Sequence, residues 1–541
     1  MKLVSIKEMK SIEKEADSNG LTFDQMMENA GQGLAEVIND LLIEDSEREI
    51  FGLIGPGNNG GDTLVAMTHL AADGWLARAY LVHRKKDPLV ERFEKAGGEV
   101  AFGEEDGKLS SLNAFLQTAT IVLDGLLGTG VKLPLKSEFA KILSEGNSII
   151  DNIDERRPFV IAVDCPSGMD CDTGEAAPEC IPADLTVTMA AVKQGQLKMP
   201  AYALLGDLQV VDIGLPDNLK SWNSVQVEVA EANVVSVILP DREVTAHKGT
   251  FGTALIVAGS VNYTGAALLT GEAAYRIGTG LVTMAVPSPI HGILAGQLAE
   301  ATWILLPNEL GVISAGAAEV LKKNMERATA LLIGPGLGME DTTKDFVHSI
   351  FTEKPVRENA STRIGFLPSG DKQRQETKNV IPPVVVDADG LKLLARIDNW
   401  HKILPPVAVL TPHPGEMSVL TGLSVEEIQK DRQAIANKFA NDWGHVVVLK
   451  GAFTVIASPD GRMTIIPVAS SALARAGTGD VLAGLIVGLR AQGVEAFEAA
   501  VAGAWIHAQA GLYAASKLGT TTSVLAGDVL NSVSSVLADL N

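Results

Sequence analysis

The chain of 541 residues contains only three cysteines, and all of them lie between positions 165 and 180. Cys165, Cys171 and Cys180 show no CxxC spacing and have no histidine between them, which fits neither a disulfide framework nor a zinc site. Basic charge is also scarce, because 44 Lys and Arg stand against 66 Asp and Glu, for a formal net charge of -22. This balance argues against nucleic acid or an anionic membrane as the main partner, since both require a basic surface.

Long apolar runs are missing as well. No uninterrupted apolar stretch reaches the roughly 18 residues of a membrane span, and the N-terminal sequence MKLVSIKEMK lacks the apolar segment of a signal peptide. We therefore expect a cytoplasmic protein without a membrane partner. The longest basic run, His83 to Lys86, is interpreted as a solvated strand end. With 46% hydrophobic and 20% charged residues, the chain is too long for one ordinary core, so we expect two domains.

Short β-branched runs alternate with longer helical patterns, which is typical of parallel sheets with helices on both faces. The fold class is therefore α/β with two doubly wound domains. Strands are predicted at 49–54, 77–82, 120–124, 159–164 and 185–189, and a helix is predicted after Asp62. A second series is predicted at 253–258, 281–286, 330–333, 384–387, 407–411, 446–450 and 454–457. The charged segment 214–248 is the predicted linker, with domains at 1–225 and 226–541. Residues 357–379 are polar and aperiodic, which predicts a mobile loop.

The sequence Gly477-Thr478-Gly479-Asp480 is the most informative stretch of the chain. Small residues let successive backbone N–H groups face one point, and the apolar run that follows predicts a helix whose positive end adds to that field. Such a loop can hold a phosphate. Asp480 lies in the first helical turn, where a carboxylate can take a proton from a hydroxyl that attacks a phosphoryl group. An N-capped helix after a glycine-rich loop remains the alternative interpretation.

A first glycine loop, GPGNNGGD at 55–62, also follows a predicted strand and opens a predicted helix. Gly55, Gly57 and Gly60 satisfy the GxGxxG dinucleotide fingerprint. That fingerprint also requires an acidic residue at the end of the second strand, where this chain has His83-Arg84-Lys85-Lys86. The Asp62 carboxylate would moreover repel a pyrophosphate, so the sequence disfavours a dehydrogenase.

Oxygen-bearing side chains follow three predicted strands of the first domain. Asn59 offers an amide carbonyl, Asp124 a carboxylate and Ser167 a hydroxyl, and parallel strands bring such positions to one edge of the sheet. Ligation by oxygen alone favours a hard cation, and a single carboxylate suits a monovalent ion better than a divalent one. Each position read separately is also compatible with a turn or a helix cap.

These motifs carry a family resemblance. GNNGGD at 57–62, DGLLGTG at 124–130 and DCPSGMD at 164–170 resemble the epimerase half of the bifunctional NAD(P)H-hydrate repair enzymes. HKGTFG at 247–252, GPGLG at 334–338, TPHPGE at 411–416, LKG at 449–451 and GTGD at 477–480 resemble the dehydratase half, a ribokinase-like three-layer sandwich. The first domain is then a Rossmann-like three-layer sandwich.

The resemblance implies epimerisation of the R and S forms of hydrated NADH and NADPH, and dehydration of the S form at the expense of ADP or ATP with Mg²⁺. It implies Asp480 and Asp124 as catalytic residues, and Asn59, Asp124 and Ser167 as potassium ligands. Binding of the hydrate in the epimerase would involve Asn58, Asn59, Gly60, Gly61, Asp62, Gly128, Thr129, Gly130, Val131, Lys132, Leu133, Pro134 and Asp164. The dehydratase would bind the hydrate through Ala266, Gly336, His413 and Asp480. It would bind the nucleotide, ADP or AMP, through Lys450, Gly451, Ala452, Phe453, Thr454, Gly477, Thr478 and Gly479. A homo-oligomer is expected.

The chain departs from the family pattern at Thr63, Cys165 and Ala476 and in the 357–379 insertion. Two alternatives stay open from the sequence. One is a small-molecule kinase that shares the Gly-Thr-Gly-Asp loop, and the other is a non-catalytic binding or scaffold role for the first domain. The oxygen set at Asn59, Asp124 and Ser167 argues for catalysis there.

Overall fold

The computed structural model describes residues 1–41, 48–153, 156–352 and 381–540. They form two compact units, residues 1–229 and 230–541. The insertion predicted to be mobile, 357–379, lies outside the described residues. The segment expected to be a linker, 214–248, contains regular elements, among them a helix at Ala232–Ile238.

The first unit is built around a parallel sheet. Its strands are β1 (Leu3–Val4), β2 (Glu49–Ile54), β3 (Leu76–Leu81), β4 (Glu99–Phe102), β5 (Ile121–Gly125), β6 (Phe159–Val163), β7 (Leu185–Met189), β8 (Val192–Lys193), β9 (Asp207–Val211) and β10 (Val227–Val229). Its α-helices are α1 (Ile6–Ser18), α2 (Phe23–Asn39), α3 (Asn58–Ala72), α4 (Pro88–Lys95), α5 (Ser110–Thr118), α6 (Ser137–Asp151) and α7 (Lys220–Asn223), with 3-10 turns at Gly103–Glu105, Gln194–Leu197 and Ala201–Leu204.

Strand order in the main sheet of this unit is β4-β3-β2-β5-β6-β7-β9, and every pairing in it is parallel. Alternate residues of one strand enter different cores, as Ile50 and Ile54 pack in one cluster while Phe51 and Leu53 pack in another. Helices therefore cover both faces, as in a doubly wound three-layer sandwich. The chain runs outward from β2 through β3 to β4 and returns to β5 on the other side of β2. The helices that follow β2 and β5 thus lie on opposite faces of the sheet, and a crevice is expected at the carboxyl ends of these two strands.

The second unit has the same plan. Its strands are β11 (Thr253–Val257), β12 (Leu281–Pro287), β13 (Thr302–Leu306), β14 (Asn308–Glu309), β15 (Val312–Ile313), β16 (Ala330–Ile333), β17 (Val384–Val386), β18 (Val409–Leu410), β19 (Val446–Leu449), β20 (Val455–Ala457) and β21 (Met463–Ile465). Its α-helices are α8 (Ala232–Ile238), α9 (Thr264–Arg276), α10 (Ser288–Ala295), α11 (Ala317–Lys323), α12 (Asp341–Thr352), α13 (Asp389–Leu394), α14 (Pro414–Thr421), α15 (Val425–Lys430), α16 (Arg432–Trp443), α17 (Thr478–Ala491), α18 (Ala496–Leu518) and α19 (Ala526–Leu540), with 3-10 turns at Trp400–Lys402 and Ser471–Leu473.

Here the strand order is β21-β20-β19-β18-β17-β16-β11-β12-β13. Pairing is parallel from β13 to β19 and antiparallel from β19 to β21. The order reverses between β11 and β16, so the crevice of this unit lies at the carboxyl ends of these two strands. The predicted α/β class with two doubly wound sheets is confirmed. Across the described residues, no helix combines the length and the apolar content that a bilayer span requires.

Two helices that follow glycine loops begin without a side-chain cap. Helix α3 starts after Gly57 and α17 starts after Gly477, and neither N-cap residue makes a capping hydrogen bond. By contrast, Ser5 caps α1 and Thr22 caps α2, each within a capping box. The first N–H groups of α3 and α17 are therefore left without the cap that satisfies them in the other two helices.

Candidate active sites

The loop between β2 and α3 is tightly packed against the loop after β5. A Cβ built on Gly55 would lie 1.8 Å from the carbonyl oxygen of Leu126, and one on Gly60 would lie 2.2 Å from the carbonyl oxygen of Gly55. Glycine is therefore required at both positions for steric reasons. This packing places the start of α3, with Asn59, beside the carboxyl end of β5, which carries Asp124.

Asn59, Asp124 and Ser167 belong to one hydrogen-bonded network. Ser167 Oγ donates to Asp124 Oδ1 at 2.5 Å, and the Ser167 backbone N–H donates to Asp124 Oδ2 at 2.7 Å. The Leu127 backbone N–H donates to Ser167 Oγ at 2.8 Å, and Asn59 Nδ2 donates to the Leu127 carbonyl oxygen at 3.0 Å. The structure thus brings together the three oxygen-bearing side chains that the sequence placed at separate strand ends.

One acceptor of this network is unused. Asn59 Oδ1 is buried and has no hydrogen-bond partner within the described part of the chain, although a buried carbonyl oxygen is costly to leave unpaired. Asp124 is 1% exposed, and burial raises the pKa of its carboxyl group while the bonds from Ser167 act in the opposite direction. An amide oxygen, a hydroxyl and a carboxylate gathered with an unused acceptor fit a cation with hard oxygen ligands.

A second polar group lies at the end of β6. Asp164 adopts a left-handed conformation, with φ of 63°, and its side chain is ion-paired with Lys193. Lys193 is 1% exposed, and its Nζ also donates to Thr188 Oγ1 at 2.8 Å. Burial raises the pKa of Asp62 well above its ordinary value, and the nearby charges of Asp164 and Glu13 add to this effect. Asp62 and Asp164 were predicted from the sequence, whereas Lys193 and Glu13 were not.

In the basic run after β3, His83, Lys85 and Lys86 are exposed, as the interpretation of a solvated strand end predicts, but Arg84 is not. The Arg84 side chain is only 9% exposed and is paired with Asp87 at 2.8 Å. Its Nη1 donates to the carbonyl oxygens of Gly55 at 3.2 Å and Gly57 at 3.3 Å. Arg84 therefore holds the first glycine loop, which a count of charges along the sequence does not reveal.

The predicted loop 128–134 and the unusual Thr63 both lie against this site. A Cβ built on Gly128 would lie 3.0 Å from Asn59 Cβ. Thr63 is fully buried, and its Oγ1 donates to the Asn59 carbonyl oxygen at 2.7 Å. Because a Cβ on Gly125 would come within 2.0 Å of Thr63 Oγ1, the Thr63 side chain fills the space between α3 and β5 and does not line the loop.

In the second unit, the Gly-Thr-Gly-Asp loop forms the start of α17. Gly477 has φ of 91°, and a Cβ there would lie 2.8 Å from Leu269 Cδ1, so glycine is required for conformation and for space. Thr478 Oγ1 donates to the carbonyl oxygens of Leu473 and Arg475, both at 2.9 Å. This fixes the loop and leaves Asp480 in the first turn of the helix.

Lys450, at the end of β19, connects this loop to two buried carboxylates. Its Nζ lies 2.6 Å from Asp387 Oδ1 and 3.7 Å from Glu416 Oε2, and it lies 3.5 Å from a Cβ built on Gly479. Burial acts to lower the pKa of Lys450, but Asp387 and Glu416 outweigh burial and raise it. Asp387 and Glu416 are 1% and 3% exposed, and neither was assigned a role from the sequence.

Asp480 is poised to exchange a proton near neutral pH. Burial raises the pKa of its carboxyl group to about 7, with Asp387 adding to the increase and Lys450 opposing it. A general base works best when its pKa lies near the working pH. The position and the pKa of Asp480 therefore suit the abstraction of a hydroxyl proton beside a phosphate-binding helix terminus.

Gly336 and Ala266, both predicted to line the hydrate pocket, are adjacent. A Cβ on Gly336 would lie 2.9 Å from Ala266 Cβ and 2.8 Å from Tyr263 Cβ. The Tyr263 side chain is 55% exposed and was missed by the sequence analysis. These residues lie at the ends of β11 and β16, where the strand order reverses.

His413 has a clear structural role. It is the N-cap of α14, and its Nδ1 accepts from the backbone N–H of Gly415 at 3.0 Å and of Glu416 at 3.3 Å. Burial lowers the pKa of His413, and the Glu416 charge acts in the opposite direction. Because Nδ1 is an acceptor, the neutral ring carries its proton on Nε2 and can donate from there.

The predicted nucleotide loop, Lys450 to Thr454, is held in place by two side chains. Thr454 Oγ1 donates to the Gly451 carbonyl oxygen at 2.9 Å. Arg432 Nη2 donates to the Leu449 carbonyl oxygen at 2.7 Å, and Arg432 Nη1 donates to the carbonyl oxygen of Ala452. Gly451 has φ of 145°, which only glycine adopts readily. Arg432 precedes the two carbonyl groups that it contacts by 17 and 20 positions, so only the folded chain reveals the connection.

Both units also match known protein families. The family model described as NAD(P)H-hydrate dehydratase matches residues 254–356 and 364–533. The model described as YjeF-related protein N-terminus matches residues 23–195. Both site regions lie inside these matches.

Full-length relatives carry one name, bifunctional NAD(P)H-hydrate repair enzyme Nnr. The protein from Moorella thermoacetica is 36% identical over 100% of this chain and 97% of its own length. The Thermofilum pendens protein is 34% identical over 96% of this chain and 93% of its own, and the Escherichia coli protein is 32% identical over 96% and 91%. Among solved structures, the ADP/ATP-dependent NAD(P)H-hydrate dehydratase of Bacillus subtilis, co-crystallised with ATP and Mg²⁺, is 28% identical with a TM-score of 0.47, and the match covers 59% of this chain and 100% of that one.

Proposed function

The chain belongs to the family of bifunctional NAD(P)H-hydrate repair enzymes, and we propose that its two units divide the two reactions of the family between them. Residues 1–225 carry the epimerase, and residues 226–541 carry the nucleotide-dependent dehydratase. The small-molecule kinase considered from the sequence lacks support, because the family matches extend over both units.

The observation that carries the dehydratase assignment is the position of Asp480. Its carboxyl group, with a pKa of about 7, lies in the first turn of a helix whose N–H groups have no side-chain cap. Phosphoryl transfer needs a base for the attacking hydroxyl and donors for the phosphoryl oxygens. Asp480 supplies the base, and the backbone of Gly477 to Gly479 supplies the donors.

The reaction is a transfer followed by an elimination. Asp480 takes the proton of the hydroxyl group on carbon 6 of the S hydrate while that oxygen bonds to the terminal phosphorus of the nucleotide and the bridging bond to the shortened nucleotide breaks. The bond between carbon 6 and this oxygen then breaks with loss of inorganic phosphate, and a proton passes from carbon 5 of the ring to water, which restores the double bond of the dihydronicotinamide. Ala266, Gly336 and His413 hold the hydrate, and Lys450 to Thr454 hold ADP or ATP, which Mg²⁺ accompanies.

Asn59, Asp124 and Ser167 form the proposed potassium site of the epimerase. The unused Asn59 Oδ1 and the all-oxygen donor set support this assignment. When bound, the ion supplies a positive charge that favours the ionised form of Asp124. The hydrate binds along Asn58 to Asp62, along Gly128 to Pro134 and at Asp164.

Asp124 is the proposed proton carrier of the epimerase, and Asp62 is the competing group. Both oxygens of Asp124 accept hydrogen bonds from Ser167, whereas Asp62 is only partly buried in the sheet crevice. Single variants separate the two: if Asp62→Asn abolishes epimerisation while Asp124→Asn still binds potassium and retains turnover, the proton carrier is Asp62.

Incubation of the purified chain with mixed NADH hydrate epimers tests the whole proposal. Adding ADP or ATP with Mg²⁺ should restore the absorbance of the dihydronicotinamide for both epimers, with release of AMP or ADP and phosphate in equal amounts. Accumulation of a stable phosphorylated product would indicate a kinase. NADPH hydrate run in parallel gives the substrate preference, and light scattering tests the homo-oligomer that we propose for a cytoplasmic enzyme.

The division of labour is tested with the two units expressed separately, residues 1–229 and 230–541. Residues 230–541 alone should dehydrate the S epimer and leave the R epimer to react only at its slow spontaneous rate of epimerisation. Adding residues 1–229 should restore consumption of both. Equal rates on both epimers without the first unit would contradict the epimerase assignment.

A further inference from the structure

The nucleotide-binding loop assigned above is attached to helix α16 by one guanidinium group. Arg432 donates from Nη2 to the Leu449 carbonyl oxygen at 2.7 Å and from Nη1 to the Ala452 carbonyl oxygen. The two acceptors are on opposite sides of Lys450 and Gly451, so one planar group bridges the bend of the loop. A Cβ on Gly451 would lie 3.0 Å from both terminal nitrogens of Arg432, which shows how closely the guanidinium is packed under the loop.

Lys450 cannot supply a surplus positive charge to a nucleotide. It is already paired with Asp387 and lies near Glu416, and Asp480 adds a third carboxyl group to its surroundings. A polyphosphate that approaches this group meets more negative than positive charge, and a further cation is needed to hold it.

Arg432 has no such compensation. No ion pair with a carboxylate is recorded for it in the described ranges, and its Nε is buried with no hydrogen-bond partner there. Both bonds that it makes go to neutral carbonyl oxygens. Its charge is therefore not compensated by a described carboxylate, and its two hydrogen bonds hold the planar guanidinium group in place beside the loop.

Resting on the proposed nucleotide-dependent dehydratase, we propose that Arg432 is a positioning residue for the nucleotide: its bridge fixes the Leu449–Ala452 bend, and its uncompensated charge draws the polyphosphate to that bend. The side chain acts on binding of the nucleotide and takes no part in the chemical step. Its loss should therefore appear in the affinity for ADP, and the turnover number should change little.

The test compares Arg432→Gln and Arg432→Lys with Lys438→Gln in the full-length chain. Lys438 is on the same helix, and its side chain is 60% exposed and paired with Asp442, so Lys438→Gln removes a charge of the same sign without touching the loop. Calorimetry with ADP and steady-state kinetics with the S hydrate give Kd, KM and kcat. We expect Arg432→Gln to weaken ADP binding about tenfold or more, because a charged hydrogen-bonding group is lost. Arg432→Lys keeps the charge but cannot bridge two carbonyl groups, so it should weaken binding to a smaller extent.

In both variants kcat at saturating ADP and KM for the hydrate should stay within about threefold of the parent values, and Lys438→Gln should match the parent. An unchanged KM and Kd for ADP in folded Arg432 variants would overturn the proposal. A loss of ADP binding and of turnover that only follows the loss of folded protein would overturn it as well.

If Arg432→Gln does not fold, Thr454→Val removes the other restraint on the loop and should raise KM for ADP in the same way. Calorimetry does not depend on turnover, so a chain that binds ADP but fails to dehydrate the hydrate would refute the proposed function and leave the Arg432 comparison intact. A parent chain that does not bind ADP would refute both.

Discussion

Each unit places a glycine loop at the carboxyl edge of its sheet and holds a loop there with an arginine, but the two arginines differ in charge balance. Arg84 bonds the carbonyl oxygens of Gly55 and Gly57 and is paired with Asp87. Arg432 bonds the carbonyl oxygens of Leu449 and Ala452 and has no carboxylate partner recorded in the described residues. The same kind of restraint therefore uses an arginine that is paired with a carboxylate in one unit and, within the described residues, an arginine without a carboxylate partner in the other.

The polar groups around the loops differ in the same sense. Around α3 the available groups are oxygens, of which Asn59 Oδ1 is unused, and they favour a cation. Around α17 they include the N–H groups of a helix start that has no side-chain cap, with Lys450 close to Gly479, and such donors favour an anion. One sheet architecture thus supports two opposite ligand chemistries, because the side chains at the strand ends decide which ligand binds.

The largest expected effect in this comparison comes from Asp480→Asn. Dehydration should fall on the order of a hundredfold or more, because the positioned base is lost. Epimerisation and ADP binding should remain, since neither needs that base. Absorbance assays for the two reactions and calorimetry with ADP check this outcome.

Asp539→Asn is the matched control, because Asp539 is exposed at the end of α19 in the same unit. It should behave like the parent. Near-normal dehydration by Asp480→Asn would contradict the assignment of Asp480 as the base. The proposed functional difference between the starts of α3 and α17 would then lose its main support.

The second largest effect is expected at the proposed potassium site of Asn59, Asp124 and Ser167. Asp124→Ala should abolish both potassium binding and epimerisation, because it removes the one carboxylate of the proposed site and leaves Ser167 without its partner. Dehydration of the S epimer should be unchanged. Epimerase rates measured in potassium and in sodium, together with a crystal structure grown in potassium, test the ion directly. Zinc or magnesium between these side chains would contradict the monovalent assignment.

Some residues of the two candidate sites could be predicted from the sequence because their positions follow from local patterns and from the order of the strands. Asn59, Asp124 and Ser167 were found because each follows a buried strand, and parallel topology brings strand ends together. Their common network is present in the structure. Asp480 was found for a similar reason, since a glycine loop before an apolar run predicts a helix start. Their roles in catalysis and binding remain predictions.

Residues that act across the fold were missed. Lys193, Asp387 and Glu416 are buried charged residues whose partners are distant in the sequence. A local sequence pattern does not predict such pairs. Arg84 was misassigned because its neighbours His83 to Lys86 look like a solvated run. Among the strands, 49–54, 185–189 and 330–333 were predicted to the residue. The missed strands include Glu99–Phe102, Asp207–Val211 and Thr302–Leu306. These three lie at sheet edges, where the burial signal is weak.

A third prediction concerns stability and pH at the anion-binding loop. The pKa of Asp480 is about 7 in the folded chain against an ordinary value of 3.8 for an aspartate. The unfolded state therefore releases this proton first, and stability decreases as pH rises from about 4 to about 7, by at most about 1.4 kcal/mol per pH unit. The Asp480→Asn variant has no carboxyl group at this position and lacks this pH dependence. Its unfolding free energy relative to that of the parent should therefore increase from about pH 4 to about pH 7 and stay constant above that. Urea unfolding at several pH values checks the trend, and a constant difference would contradict the raised pKa.

The smallest effect is expected for Arg84→Gln. This variant tests whether an arginine that is paired with a carboxylate supports ligand binding by its loop, as we propose for Arg432. Two hydrogen bonds to carbonyl groups are lost, and Asp87 loses its partner but still caps α4. We expect about 1–2 kcal/mol less unfolding free energy, a rise of a few-fold in the epimerase KM, and unchanged binding of ADP. Arg78→Gln is the matched control, because Arg78 lies within β3, the strand that precedes Arg84, and pairs with Glu49 and Glu99, the first residues of β2 and β4. It should cost similar stability and leave the epimerase KM unchanged. Equal effects of both variants on the epimerase would show that Arg84 acts only through stability, and the parallel with Arg432 would then fail.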